Sequence, residues 1–321
     1  VMEPVKVVPY FGSVEKPECH LLYNVTTMCT TWHTVATRDT RLLRRQLDAV
    51  NTLPKEYVFL NYLRCHDDIG WGLDYEWLNR NFGIDEVLHK RYLNDYFQGF
   101  AGNSASRGEL YNDDIASGDA RLCGTTASLC GVEKAGFGQD HEAMERAVRF
   151  DVTLHAMMFM QTGIPMLYSG DELAQVNDYS YKDDPKKAGD SRYLHRGRMK
   201  WELSEHKDDL ETPEGKMFCG LSALIGLRGT SPAFGTAADV WTLDTGDDGL
   251  LAIGRYAKGQ KIIGVFNFTE WEKTVTFPHD PGRFTDMLTG RDYLLQNLPV
   301  PAYGFYYLEQ RSGESKYGDN Y

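Results

Sequence analysis

The sequence has 321 residues, is 42% hydrophobic and 12% aromatic, and carries a formal net charge of -12. A chain of this kind buries a sizeable core, in one large domain or two. Its acidity, and the lack of a Lys/Arg-rich block to neutralise phosphates, argue against nucleic acid or an anionic membrane as partner and leave neutral polyols compatible. No run of 18 apolar residues and no signal peptide is present, but the first residue is Val1, not Met, so the chain reads as one whose natural N-terminus lies upstream. Cys19, Cys29, Cys65, Cys123, Cys130 and Cys219 lack metal-ligand spacing and several lie in apolar runs, which predicts reduced thiols in a cytoplasmic protein without a bound metal or other cofactor. The triplets at Asn24 and Asn267 match glycosylation sequons, a pattern that arises often by chance.

Residues 6–11 read as a short strand or loop. From Met28 to Val50, apolar side chains recur at Met28, Trp32, Val35, Ala36, Leu42, Leu43, Leu47 and Val50, which predicts one helix with a single buried face. Arg38, Arg41, Arg44 and Arg45 crowd its other side, as a solvated face or as an anion site. Thr52-Leu53-Pro54 ends it. Residues 58–63 are β-branched, aromatic and aliphatic with one Asn, the pattern of a strand buried on both faces in a parallel sheet. That strand runs into Cys65-His66-Asp67-Asp68. In sheets whose strands are separated by helices, ligands and catalytic side chains gather at this C-terminal end. The alternative is a solvated polar turn, yet the turn continues through Ile69 and Gly70 to Trp71, which such a turn does not need.

Residues 72–139 are irregular and rich in Gly, Asn, Ser and Asp, too long for a simple loop. They predict a lid or inserted subdomain with helices over 75–78 and 87–97. A long helix follows over 140–161, with Ala143, Ala147, Val148, Val152, His155 and Met158 along one stripe and Met157 to Met160 as core filling. Residues 163–169 predict a second buried strand that again meets acids, Asp171 and Glu172. Strand, acidic end and long helix, repeated, are the signature of an α/β barrel. Residues 177–203 form a charged loop containing Arg192, His195, Arg196 and Arg198. The next helix, 212–228, takes Thr212 as N-cap and Pro213 as first helical residue, with Met217, Leu221, Leu224 and Ile225 facing inward. Beyond Pro232, short strands at 240–243, 250–256, 261–267, 273–277 and 304–308 describe an antiparallel β-sandwich. Residues 309–321 are polar and read as a tail.

The run Tyr62-Leu63-Arg64-Cys65-His66-Asp67-Asp68-Ile69-Gly70-Trp71 resembles the seventh-strand motif of the α-amylase family of glycoside hydrolases and transglucosidases, most closely its amylosucrase-like branch. The resemblance extends, in the same order, to Gly118-Asp119-Ala120-Arg121-Leu122-Cys123-Gly124-Thr125, to 163–172 and to 190–196. It implies an α/β fold: the C-terminal part of a TIM (β/α)8 barrel in segments 1–68 and 140–232, a lid insertion at 69–139, a C-terminal β-sandwich at 233–310 and a tail at 311–321. It also implies α-glucoside chemistry with retention, on sucrose, a maltooligosaccharide or an α-glucan. By position Asp67 corresponds to the family's third carboxylate, which stabilises the transition state, and His66 to its partner on the sugar hydroxyls. Asp68 and Arg121 match a pair near the leaving group, and Arg192 an arginine at the bottom of the glucose pocket. Glu172 matches a loop-shaping residue. The family's nucleophile and acid/base glutamate fall before Val1, since Glu3 stands four residues too late. The resemblance therefore implies that the other half of the same enzyme is a required partner. An α-amylase-like hydrolase of α-glucans and a non-catalytic carbohydrate-binding protein are the competing readings.

Overall fold

The computed structural model describes residues 4–13, 15–280 and 282–310; the expected tail at 311–321 and Glu3 lie outside them. Residues 6–11 are helical rather than extended: α1 (Pro4–Val7) runs into a 3-10 turn, Val8–Phe11. Phe11 packs there on Tyr57 and edge-on to Phe59, centroids 4.5 and 5.5 Å apart.

Strand β1 (Leu21–Tyr23) leads to α2 (Val25–Thr37) and α3 (Arg41–Asn51), and the chain returns in β2 (Val58–Asn61), parallel to β1 with Leu22 opposite Phe59. The single Asn in β2 has a job. Asn61 accepts from Asn24 Nδ2 and donates to the Thr162 carbonyl, both at 2.8 Å, so a buried amide ties three segments together.

The expected single helix over 28–50 is two. Arg38 adopts a left-handed conformation (φ 57°), and the backbone leaves the helix because Thr40 donates its N–H to Asp248 at 2.7 Å and its hydroxyl to Leu250 at 3.0 Å. Tertiary hydrogen bonds to the C-terminal sheet outweigh local helical ones at this point. The arginine face is also not simply solvated. Arg38 pairs with Glu270 (2.5 Å), Arg41 with Asp39 (2.5 Å) and Asp248 (3.3 Å), Arg44 with Asp244 (3.0 Å) and Arg45 with Asp74 (3.1 Å). Three of the four thus reach acids of the C-terminal loops.

The 69–139 segment carries a three-stranded antiparallel sheet in the order β3 (Ile69–Gly70), β5 (Asp119–Cys123), β4 (Glu109–Asp114). Between β3 and β4 lie α4 (Tyr75–Phe82) and α5 (Glu86–Gln98), capped by Asp74 and Asp85, whose carboxylates accept from Trp77 and Leu88 N–H. Trp71 is buried, stacks on Phe97 and donates to Asn94 Oδ1 at 2.7 Å, which anchors the segment in the main core. The short helices α6 (Thr126–Cys130) and α7 (Val132–Gly138) follow β5.

The long helix is α8 (His141–Phe159), N-capped by Asp140, and Met157 to Met160 are fully buried as core filling. The strand expected over 163–169 is confined to β6 (Ile164–Pro165), parallel to β2, and Ile164 is 39% exposed. Pro165 donates no hydrogen bond, and after Met166 N–H reaches the Asn61 carbonyl the chain turns at Gly170 (φ 98°). The parallel sheet is therefore β1-β2-β6. The charged loop winds through three 3-10 turns to α9 (Pro213–Thr230), whose cap is Thr212 accepting from Gly215 N–H. Met217, Leu221 and Leu224 face inward, whereas Ile225 is 51% exposed.

The C-terminal strands are β7 (Asp239–Leu243), β8 (Leu250–Ala257), β9 (Gln260–Asn267), β10 (Lys273–Val275), β11 (Arg283–Asp286), β12 (Asp292–Leu294), β13 (Leu298–Val300) and β14 (Phe305–Gln310). Six form an antiparallel sheet, β12-β11-β14-β9-β8-β7, and β10 pairs with β13 in a second layer. Leu250, Ile263, Val265, Val275, Phe284, Leu298 and Leu308 fill the space between them. The sheet's other face, Leu251, Ile253, Ile262, Phe266 and Tyr307, joins the main core. Arg255 fastens that joint. Fully buried, it donates to the carbonyls of Met160 and Gln161 at the end of α8 and to those of Ala233 and Gly235, at 2.6–2.9 Å. Among the described residues no helix is long and apolar enough to cross a membrane.

Candidate active site at the strand ends

After β2 the chain stays buried through Tyr62, Leu63 and Arg64 and then emerges, so that Cys65 is partly covered while His66 and Asp67 are exposed. Arg64 is tolerated in the interior because its charge is paired. Its guanidinium places Nε and Nη2 at 2.8 and 2.7 Å from Asp171 Oδ1 and lies over the Tyr168 ring at 4.5 Å. Asp171 also accepts from the Thr126 hydroxyl, and His155 Nε2 stands 3.9 Å from its second oxygen. His155 Nδ1 in turn lies 3.1 Å from Asp151 Oδ1 and 2.9 Å from the Asp151 carbonyl. Burial alone lowers the His155 pKa, but the Asp151 carboxylate and then Asp171 outweigh it and hold the imidazole above its usual value. Burial raises the Asp151 pKa against the pull of His155. A chain of buried charges thus runs from the end of β2 into α8.

Outside this clamp, the Asp67 side chain is 59% and the His66 side chain 65% exposed, with His66 Nε2 at 3.5 Å from Asp67 Oδ2. Arg196 comes from the charged loop to place Nη2 3.6 Å from Asp67 Oδ1 and donates from Nε to the His66 carbonyl at 2.5 Å. His195 supports the same carbonyl. Its Nδ1 accepts from Gly124 N–H at 3.1 Å, which leaves the proton on Nε2, 3.3 Å from the His66 oxygen. Burial, and then the charge of Arg64, push the His195 pKa down to about 3, so the ring is neutral.

Asp68 faces Arg121, with Oδ2 3.6 Å from Nε, and Arg121 also approaches Asp119 at 3.8 Å. Register explains the pairing: Arg121 lies opposite Gly70 in the β3–β5 ladder, two residues beyond Asp68. A Cβ on Gly70 would collide with Arg121 Nη1, so only a glycine lets the guanidinium lie across the strand. Arg192 is committed to Asp190 by two hydrogen bonds of 2.8 Å and lies 4.6 Å over the Tyr111 ring. Its pKa is raised first by the Asp190 bond, with Asp68 also contributing. Asp68, Asp190, Arg192 and Arg196 all act on the buried Cys123 thiol, whose pKa is raised chiefly by burial. His66, Asp67, Asp68 and Arg121 therefore share one strand-end surface, with Arg192 beside it on its own acid. Glu172 accepts from Gly170 N–H at 2.8 Å and shapes its turn.

Arg196 and His195 were visible in the sequence as members of a charged loop and of the motif at 190–196, without a role of their own. Nothing local marked them as partners of residues 129 or 130 positions away. For the Arg64–Asp171–His155–Asp151 chain, the sequence marked Asp171 as a strand-end acid and Arg64 as part of a motif, while the helical spacing of Asp151 and His155 was hidden because His155 also fits the apolar stripe.

Solved structures share this architecture, among them the following two. One is sucrose 6F-phosphate phosphorylase from Thermoanaerobacter thermosaccharolyticum, with a TM-score of 0.56, 18% identity, and 85% of this chain aligned to 47% of that one. The other is an AmyP variant in complex with maltotriose, with a TM-score of 0.59, 14% identity, and 94% of this chain aligned to 52% of that one. The likeness is one of fold. The chain spans about half the length of each of these proteins. No family model matches it.

Proposed function

We propose that the chain is the C-terminal part of an α-amylase-family enzyme that cleaves or transfers α-glucosyl groups with retention. The observation that carries this reading is the Asp67 carboxylate, accessible at the C-terminal end of a parallel strand and flanked by His66 and Arg196. Support comes from the shared fold with a sucrose phosphate phosphorylase and with a maltotriose-bound protein.

Retention needs a nucleophile and an acid/base carboxyl about 5–5.5 Å apart. On this reading both are carried by barrel strands beyond these residues. Leu21 and Tyr23 of β1 and Ile164 of β6, at the two edges of the parallel sheet, are 42, 52 and 39% exposed, which suits a sheet continued by further strands. Asp67 opposes the positive charge that develops at the anomeric carbon, and His66 hydrogen-bonds the sugar beside it. Arg196 and His195 act by fixing the His66 carbonyl. Asp68 and Arg121 sit on the leaving-group or acceptor side, and Arg192 near the bottom of the glucose pocket. The amylosucrase-like branch is favoured by the Asp68–Arg121 pair and by Arg192, which match its motifs. The substrate is then an α-glucoside such as sucrose, with a maltooligosaccharide or α-glucan as the alternative. Steady-state kinetics of the full-length enzyme with Asp67→Asn test the proposal, because a transition-state role lowers kcat and leaves KM nearly unchanged.

A further inference from the structure

Cys65, His66 and Asp67 are consecutive, yet the bend in the backbone at His66 and Asp67 turns their side chains to a common point. The thiol sulfur, an imidazole nitrogen and a carboxylate oxygen all lie within 4.8 Å of one another. We propose that these three residues form a binding site for a thiophilic divalent cation of the zinc type.

The donor set selects the ion. One sulfur, one nitrogen and one oxygen suit borderline-soft transition metals and disfavour calcium and magnesium, which take oxygen alone. Three protein donors with a fourth position open is also the arrangement zinc adopts in reactive sites. The ion-pair contacts of these groups are long, and the one hydrogen bond to the sulfur is the weak N–H···S kind, so coordination displaces little. His66 to Asp67 is 3.5 Å, Asp67 to Arg196 is 3.6 Å, and the Asp67 N–H approaches the Cys65 sulfur at 3.4 Å. Zinc bonds of 2.0–2.3 Å bring tetrahedral donors to about 3.3–3.8 Å apart. Side-chain rotation suffices for this, since the His66 and Asp67 side chains are 65 and 59% exposed. On binding, a metal–sulfur bond forms, the thiol proton leaves to water, and no oxidation state changes. Conventional cysteine spacing gave no hint of the site because the ligands are adjacent rather than separated by two residues.

Binding of the ion does not depend on the enzymatic reading, so each stands or falls alone. If both hold, the ion occupies Asp67 and closes the site to sugar. The test is calorimetric titration of Zn2+ into the protein carrying Cys19→Ser, since Cys19 is exposed and adjoins His20. One equivalent should bind. Loss of even an outer-shell partner costs about tenfold or more, so Cys65→Ser, His66→Ala and Asp67→Asn should each weaken it at least about tenfold. Co2+ should give a sulfur-to-metal charge-transfer band that Cys65→Ser abolishes, a readout that a folding defect alone does not mimic when near-UV dichroism is unchanged. Equal zinc affinity with Cys65→Ser, or affinity lost with Cys65→Ser but kept within about twofold by both other variants, overturns the three-ligand site.

Discussion

Arg64 and Asp171 meet at 2.7 Å with both side chains 2% exposed, joining the end of β2 to the turn that follows β6. Cys65, His66 and Asp67 begin one residue beyond this clamp, so the position of the accessible carboxylate is inherited from a buried ion pair. Removing one partner leaves the other charged and unpaired in the core. Arg64→Ala or Asp171→Ala should each cost about 3–5 kcal/mol in urea unfolding, while replacing both by apolar residues should cost less than the sum. Additive losses would show that the two side chains act independently.

Arg255 supplies a second test of what holds the molecule together. It satisfies four carbonyls, two at the end of α8 and two in the segment entering the C-terminal sheet. Arg255→Leu orphans them and should destabilise by several kcal/mol, at roughly 1–3 kcal/mol for each buried group left unpaired. Arg255→Lys should rescue little, because an ammonium lacks the planar fork that spans both pairs. Unfolding curves of the two variants decide this, and full recovery with lysine contradicts the bridging role.

Acid sensitivity follows from two buried imidazoles. His33 and His195 are both held down to about 3, first by burial and then by His89 and Arg64 respectively. His33 faces His89, its ring 5.1 Å away, and lines a cavity of about 120 Å3 with Asp39, while neither of its nitrogens has a hydrogen-bond partner among the described residues. Neutral in the folded state, each takes up a proton only on unfolding. The stability tied to their neutrality is therefore complete above about 6.5 and is lost as pH falls from there towards 3, by up to about 1.4 kcal/mol per pH unit for each. His33→Leu should flatten the decline between pH 7 and pH 5 by one proton's worth. An unchanged slope means that His33 is not the titrating group.

Much of the architecture was legible because periodicity survives without tertiary context: β2, α8, α9 and the C-terminal strands 7, 8, 9 and 14 fall close to their expected places. What was missed has a common cause. The helix break at Arg38 depends on Asp248 and Leu250, two hundred residues away, and the short β6 depends on Pro165 beside β2. Strands β11, β12 and β13 have four, three and three residues, too few for alternation to register. At the site, His66, Asp67, Asp68 and Arg121 announced themselves by motif; Arg196 also lay in a motif, but its contact with the carbonyl of His66 leaves no trace in residue pattern.

Gly70 offers a test of the acceptor side. A methyl group at this position strikes Arg121 Nη1 and should swing the guanidinium off Asp68 without touching either charge. In the full-length enzyme Gly70→Ala should then shift the ratio of hydrolysis to transfer in the same direction as Arg121→Ala. Opposite shifts, or no shift in either, remove Arg121 from the proposed role.

The central claim is that the Asp67 carboxylate stabilises charge in the transition state. Its most direct measurement is kcat and KM of full-length Asp67→Asn with sucrose, a maltooligosaccharide and an aryl α-glucoside. Loss of one electrostatic stabiliser costs about 10²–10³ in kcat, or roughly 3–4 kcal/mol, so kcat should fall by that factor on every productive substrate while KM changes little. A variant whose kcat stays within a few-fold of the parent on all three makes Asp67 an ordinary strand-end acid and contradicts the proposed function.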